Sequence, residues 1–129
     1  MTSIISNFEN IKSLIDNSNV KIIAVSKTFS YDVISPLVDY GHLHFGENKV
    51  QEAQFKWSDI KKINPNIKLH MIGKLQSNKA KEAVKLFDYI HSLDNQKLAN
   101  NLAKHENITN KKLKYFIQIN IDNEKQKSG

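Results

Sequence analysis

The chain has 129 residues, of which 40% are hydrophobic and 25% are charged, a composition typical of one small globular domain. It contains no cysteine, which excludes disulfides and thiolate metal sites, and no apolar run is long enough to cross a membrane. The formal net charge is +6, but all 19 basic residues are lysines, and a basic chain without arginine is a weak candidate for specific nucleic-acid binding.

Helices and strands are predicted to alternate along the chain. Apolar residues at helical spacing predict an amphipathic N-terminal helix, and a β-branched run predicts the first strand. In chain order, the predicted elements are a helix at 3–17, a strand at 21–27, a helix at 30–40, a short strand and loop at 42–48, a helix at 49–63, a strand at 67–73, a helix at 78–87, a strand at 88–93, a helix at 95–104 and a strand at 113–121.

Three predictions concern where helices begin and end. Pro36 either kinks the second helix or lies in the first turn of a shorter helix that Ser35 caps. Asp94 is expected to cap the last helix. Residues 105–112 are predicted to form a polar connection to the final strand.

The spacing of the strands predicts the topology. Strands begin near residues 21, 43, 67, 89 and 113, a regular repeat of 22 to 24 residues. Strands that alternate with helices indicate a parallel sheet with right-handed crossovers. A doubly wound sheet usually orders its strands out of sequence, whereas a uniform repeat suits sequential neighbours in a (β/α) barrel.

Lys27 lies at the end of the first predicted strand, on the same face as Ile23 and Val25. Active sites of α/β folds lie at the C-terminal ends of their strands, and desolvation there would lower the pKa of the lysine. Such an amine can form a Schiff base with an aldehyde such as pyridoxal phosphate. The alternative is that Lys27 is an ordinary solvated charge at the end of a strand.

His42 and His44 would share one face of the second strand, as two metal ligands could. Because no third ligand is evident nearby, no metal site is predicted.

Four short motifs follow the ends of predicted strands. They are Val25-Ser26-Lys27, then Phe45-Gly46-Glu47-Asn48 with Gln51-Glu52, then His70-Met71-Ile72-Gly73 with Leu75-Gln76-Ser77-Asn78-Lys79, and finally Gln118-Ile119-Asn120-Ile121 with Lys127-Ser128-Gly129. In this order and spacing the motifs closely resemble the YggS family of pyridoxal phosphate homeostasis proteins. The resemblance covers essentially the whole chain.

This resemblance implies an α/β fold of the parallel (β/α) TIM-barrel type, similar to the N-terminal domain of alanine racemase. It implies that pyridoxal 5'-phosphate is bound as a Schiff base on Lys27. Asn48 matches a position that lines the cofactor pocket, where its amide can hydrogen-bond the phenolate oxygen. Five further residues match the motif around the third strand without an assigned contact: His70, Gly73, Gln76, Ser77 and Asn78.

The residues themselves allow simpler roles at these positions. Asn48 can stabilise a turn, and the run from Gln76 to Asn78 can cap the helix that follows. A histidine such as His70 is more often a hydrogen-bonded wall residue than a catalytic acid or base.

The family has no established catalytic turnover, so the resemblance implies a cytoplasmic carrier of pyridoxal phosphate rather than an efficient enzyme. The absence of a signal-peptide pattern and of cysteine agrees with that location. One alternative is the barrel lobe of a racemase or decarboxylase, with Tyr31 following Lys27 by four residues. Another is a non-catalytic α/β module that binds anions or RNA through its lysines.

Residues 1–129 are predicted to form one partial barrel domain, with four βα units and a fifth strand where a complete barrel has eight. The phosphate site of such barrels commonly lies after strands 7 and 8. A five-stranded sheet also has two open edges. We therefore expect self-association or a partner that completes the barrel.

Overall fold

The computed structural model describes residues 3–17 and 19–121. Its elements, in chain order, are α1 (Ser3–Ser13), β1 (Ala24–Val25), α2 (Tyr31–Asp39), β2 (His44–Glu47), α3 (Val50–Ile63), β3 (Lys68–Met71), a 3-10 turn (Ser77–Lys79), α4 (Ala80–Leu86), β4 (Tyr89–Leu93), α5 (Gln96–Thr109) and β5 (Lys114–Ile117). Among these residues, no helix combines the length and apolar character that a membrane span requires.

The five strands form one parallel sheet in the order β1-β2-β3-β4-β5. Each strand therefore pairs with the next in sequence, as the uniform repeat predicted. The register places Val25 beside Gly46, Gly46 beside His70, and His70 beside Tyr89. The predicted α/β barrel-type class is confirmed.

The two faces of the sheet differ because successive side chains on a strand point in opposite directions. One face packs against the helices, where Phe45, Leu69 and Ile90 are fully buried together with Trp57 of α3. The opposite face, called here the inner face, carries His44, Gly46, His70 and His91. The histidines contact one another across the strands.

The N-terminal helix is shorter than predicted. It ends at Ser13 rather than residue 17, and the chain continues in tight turns in which the Leu14 N–H donates to the Ile11 carbonyl. Leu14 was expected on the packed face but is 83% exposed. Most helical stability comes from tertiary packing, which Leu14 does not provide.

Pro36 lies inside α2, which begins at Tyr31, so the interpretation of a shorter helix is wrong. A proline cannot donate to the carbonyl four residues earlier, here that of Asp32. The Ser35 hydroxyl donates to this carbonyl instead, at 3.2 Å. The side chain before the proline thus supplies the missing hydrogen bond.

The start and end of α5 also differ from the prediction. Asn95, not Asp94, is the cap, and its Oδ1 accepts from the Leu98 N–H at 2.8 Å. The helix continues to Thr109, so the predicted connection is helical over 105–109. Glu106 explains the extension, because its carboxylate accepts from the Leu113 N–H and the Tyr115 hydroxyl and thereby ties the last turns to β5.

Candidate functional site

Lys27 lies in a turn directly after β1, at the C-terminal edge of the sheet. Its side chain is exposed, and β1 is only two residues long. Its two neighbours are constrained differently. Ser26 is buried, and Thr28 has a left-handed backbone with φ 67°.

A buried charge network lies beneath Ser26. The Glu47 side chain is fully buried, and its Oε2 accepts from Ser26 Oγ at 2.5 Å, Lys56 Nζ at 2.9 Å and Trp57 Nε1 at 2.9 Å. Lys56 also donates to the Ser26 carbonyl. The ammonium and the carboxylate are therefore paired and hydrogen-bonded, as buried charges must be.

Glu52 connects this network to Thr28, the residue that follows Lys27. Its Oε2 accepts from the Thr28 N–H at 2.5 Å and lies 3.3 Å from Lys56 Nζ. The sequence motifs include Glu47 and Glu52 without indicating a role for either, and they do not include Lys56. The spacing of Glu52 and Lys56, four residues apart on one helix, was the available signal.

Asn48 and Gly73, two predicted site residues, are in direct contact. A Cβ atom at Gly73 would overlap the side-chain oxygen and the backbone carbonyl of Asn48. Only glycine therefore lets Asn48 keep this position at the end of β2. Asn48 is half-buried.

Four of the predicted site residues line two depressions at this edge of the sheet. Asn48 and Gln76 line a cavity of about 580 Å³ between the ends of β2 and β3, and Lys27 is not among its lining residues. Gln76 also lines a second depression with Ser77 and Asn78. Gln76 precedes the 3-10 turn without a side-chain cap, so its expected capping role is not observed.

His70 is the centre of a chain of three imidazoles on the inner face. Its Nε2 lies 2.9 Å from His44 Nδ1, and its Nδ1 lies 2.9 Å from His91 Nε2. The His70 ring also stacks on Tyr89, and His91 stacks on Phe116. His70 is thus a buried, hydrogen-bonded wall residue, and both of its nitrogens are engaged.

The histidines that contact one another are not the pair that the sequence suggested, His42 and His44. His42 packs against Phe8, with ring centroids 4.7 Å apart, and its ring lies 6.4 Å from that of His44. Among residues 3–17 and 19–121, no three histidine, aspartate or glutamate side chains are placed to hold a metal ion.

The histidine chain favours neutral imidazoles. The pKa of His70 is lowered from 6.5 to about 4, mainly by burial and to a lesser extent by the neighbouring His91 and His44, whereas Asp88 acts in the opposite direction. Burial also lowers the pKa values of His44 and His91. A neutral chain suits the geometry, since each contact needs one N–H donor and one lone pair.

Acidification is therefore expected to destabilise the fold through His70. Its unfolded form binds a proton near pH 6.5 and its folded form only near pH 4. Stability is thus complete above pH 6.5 and falls as the pH drops towards 4, by about 3 kcal/mol for this group. Urea unfolding between pH 7 and pH 4 should show a shallower pH dependence in His70→Gln than in the unmodified chain. His105→Gln, on α5, is the control, and equal pH dependence in all three would contradict the prediction.

The comparisons with known proteins agree with this geometry. The sequence profile of the alanine racemase N-terminal domain matches residues 1–129. The pyridoxal phosphate homeostasis protein of Vibrio cholerae is 35% identical and aligns with 100% of this chain and 59% of its own length. That of Buchnera aphidicola subsp. Schizaphis graminum is 42% identical over 85% of this chain and 48% of its own.

Among solved structures, PipY of Synechococcus elongatus with pyridoxal phosphate bound is 36% identical and superimposes with a TM-score of 0.85. The match covers 92% of this chain and 55% of PipY. The chain thus spans about half the length of the relatives that it matches. It belongs to the alanine racemase N-terminal domain family, and the predicted resemblance to the pyridoxal phosphate homeostasis proteins of that family is confirmed.

Proposed function

We propose that this chain is the N-terminal part of a pyridoxal 5'-phosphate-binding barrel domain and that Lys27 carries the cofactor as a Schiff base. The observation that carries the proposal is the position of Lys27. Its amine is exposed at the C-terminal edge of a parallel sheet, between two anchored neighbours. The names of the relatives and the cofactor bound to PipY support the same conclusion.

The residues at this edge fit such a ligand. An exposed amine can reach an aldehyde carbon, and the condensation forms one C=N bond and releases one water. Asn48 lies at the end of the adjacent strand, where its amide can serve as a polar contact. When bound, pyridoxal phosphate supplies the aldehyde and an electron-withdrawing ring.

We further propose a cytoplasmic carrier without efficient turnover rather than a racemase. A racemase needs a free acid or base beside the cofactor. The Tyr31 ring packs edge-on against Trp57, on the helix-covered side of the sheet, and burial raises the pKa of its hydroxyl. Both ring nitrogens of His70 are engaged by other histidines. Neither side chain is placed to exchange protons with a ligand on Lys27.

The test of the proposed function is trapping of the cofactor on the unmodified chain. Pyridoxal phosphate should produce an absorption band near ~420 nm that borohydride removes, and peptide mapping should locate the reduced adduct at Lys27. Labelling spread over many lysines would contradict a shaped site. Salt-sensitive RNA binding in its place would favour the anion-binding alternative.

We also propose that further strands cover the inner face, supplied by a second copy or by a partner that completes the barrel. Val25 is 51% exposed and Phe116 is 55% exposed on the two outermost strands. Exposed strand edges and apolar side chains favour association. Sedimentation velocity of the isolated chain should show mass that increases with concentration. A monomer at all concentrations with a single cooperative thermal transition would contradict this proposal.

A further inference from the structure

We infer that Glu52 is a positioning residue for Lys27. The inference rests on the proposed Schiff base, because it concerns how the amine of Lys27 is presented. Glu52 is on α3, far from Lys27 in sequence, yet its carboxylate accepts from the backbone of the residue next to it.

The hydrogen bond to Glu52 is important because of the backbone conformation of Thr28. Its φ of 67° lies in the left-handed region, which is unfavourable for a β-branched residue. Such a conformation persists only where surrounding contacts hold it. The Phe29 N–H donates to the Ser26 carbonyl at 3.3 Å and closes the turn around this residue, and the hydrogen bond from the Thr28 N–H to Glu52 Oε2 ties the same turn to α3.

The Glu52 carboxylate is itself fixed. Lys56 lies one helical turn further along α3, and its Nζ is 3.3 Å from Glu52 Oε2. The same ammonium donates to the Ser26 carbonyl and pairs with the buried Glu47. The acceptor for Thr28 is therefore part of a preorganised network rather than a free surface side chain.

Lys27 is thus anchored through both neighbours. Ser26 is held to β2 and α3 by Glu47 and Lys56, and Thr28 is held to α3 by Glu52. The direction in which the Lys27 side chain leaves the backbone follows from these two anchors, because they determine the backbone on either side of it. Removing Glu52 releases one anchor and leaves the buried pair of Glu47 and Lys56 in place.

The test compares Glu52→Ala with Glu52→Gln, which keeps an oxygen acceptor for the Thr28 N–H. Asp59→Ala is the matched control, because Asp59 is a carboxylate on the same helix in an exposed pair with Lys62. The first measurement is hydrogen exchange of the Thr28 amide, with the buried Ile90 amide reporting global unfolding. The second is the rate at which pyridoxal phosphate labels Lys27 before borohydride reduction.

In Glu52→Ala we expect the Thr28 amide to exchange about tenfold faster and Lys27 to be labelled about tenfold more slowly, because a hydrogen bond to a charged acceptor is lost. Ile90 exchange should not change. Glu52→Gln should lie between Glu52→Ala and the unmodified chain, because its neutral amide oxygen still accepts the hydrogen bond. Asp59→Ala should stay within about twofold of the unmodified chain.

The outcomes separate this inference from the proposed function. Unchanged Thr28 exchange in Glu52→Ala overturns the inference whether or not the cofactor binds. Normal labelling of Lys27 in Glu52→Ala also overturns it, and leaves the Schiff base intact. If the unmodified chain forms no adduct, the proposed function fails, and faster Thr28 exchange would then mark a structural contact without a role towards Lys27.

Discussion

Replacing Lys27 with alanine should abolish the ~420 nm band and reduce the borohydride-trapped cofactor by at least about tenfold. Lys27 is an exposed amine at the C-terminal edge of the sheet, and its two neighbours are held by Glu47 and Glu52. Alanine keeps the backbone and these anchors but removes the only atom that can form the C=N bond at this position. The free energy of unfolding should therefore change little, because an exposed side chain is removed.

The matched control is Lys79→Ala. Lys79 lines the cavity between the ends of β2 and β3, and Lys27 does not. This variant therefore tests whether a lysine in that cavity captures the aldehyde instead of Lys27. We expect this variant to keep the band and the adduct at Lys27. Adduct that is lost from Lys79→Ala and kept in Lys27→Ala would place the covalent site in that cavity and overturn the assignment.

Replacing Glu47 with alanine should lower the free energy of unfolding by about 3–5 kcal/mol. The Lys56 ammonium would lose its closest carboxylate, since the two side chains are 5% and 0% exposed and lie 2.9 Å apart. It would keep only the more exposed carboxylate of Glu52, at 3.3 Å. Ser26 Oγ and Trp57 Nε1 would lose their acceptor as well. Removing one partner of a buried pair costs more than the pair contributes, because the ammonium remains desolvated without its buried counter-charge.

Urea unfolding can be followed by the fluorescence of Trp57, because it is the one tryptophan of the chain and donates directly to Glu47. Adding Lys56→Met to Glu47→Ala should restore part of the lost stability, since it removes the ammonium that has lost its buried carboxylate. Asp59→Ala, in an exposed pair on the same helix, should change stability by less than about 1 kcal/mol. A loss below about 1 kcal/mol in Glu47→Ala would contradict the prediction.

The alternation of elements could be predicted because it depends on local periodicity. Apolar residues that recur every 3.6 residues identify a helix, and those that recur every 2 residues identify a strand, regardless of which residues they contact in the fold. The regular repeat then predicted sequential pairing of parallel strands, which the sheet order confirms. Boundaries were less accurate. The cap at Asn95 rather than Asp94 and the longer α5 depend on contacts of single side chains.

The contacts around the site could not be predicted in the same way. His44 and His70 are 26 residues apart and His70 and His91 are 21 apart, so their contacts depend on the register between strands. The hydrogen bond from the Thr28 N–H to Glu52 depends on how α3 packs over the end of β1. Neither the register nor the packing leaves a periodic pattern in the sequence.

By itself, the sequence determined the alternation of helices and strands, the motifs that relate the chain to its family, and the position of Lys27 after the first strand. Only the tertiary structure decided that Lys27 is exposed, that Glu47, Glu52 and Lys56 hold its neighbours, and that His70 lies within a histidine chain. The physical reason is the range of the interactions. Periodicity and turn chemistry act between residues a few positions apart, whereas burial, buried ion pairs and left-handed turns depend on contacts between distant segments.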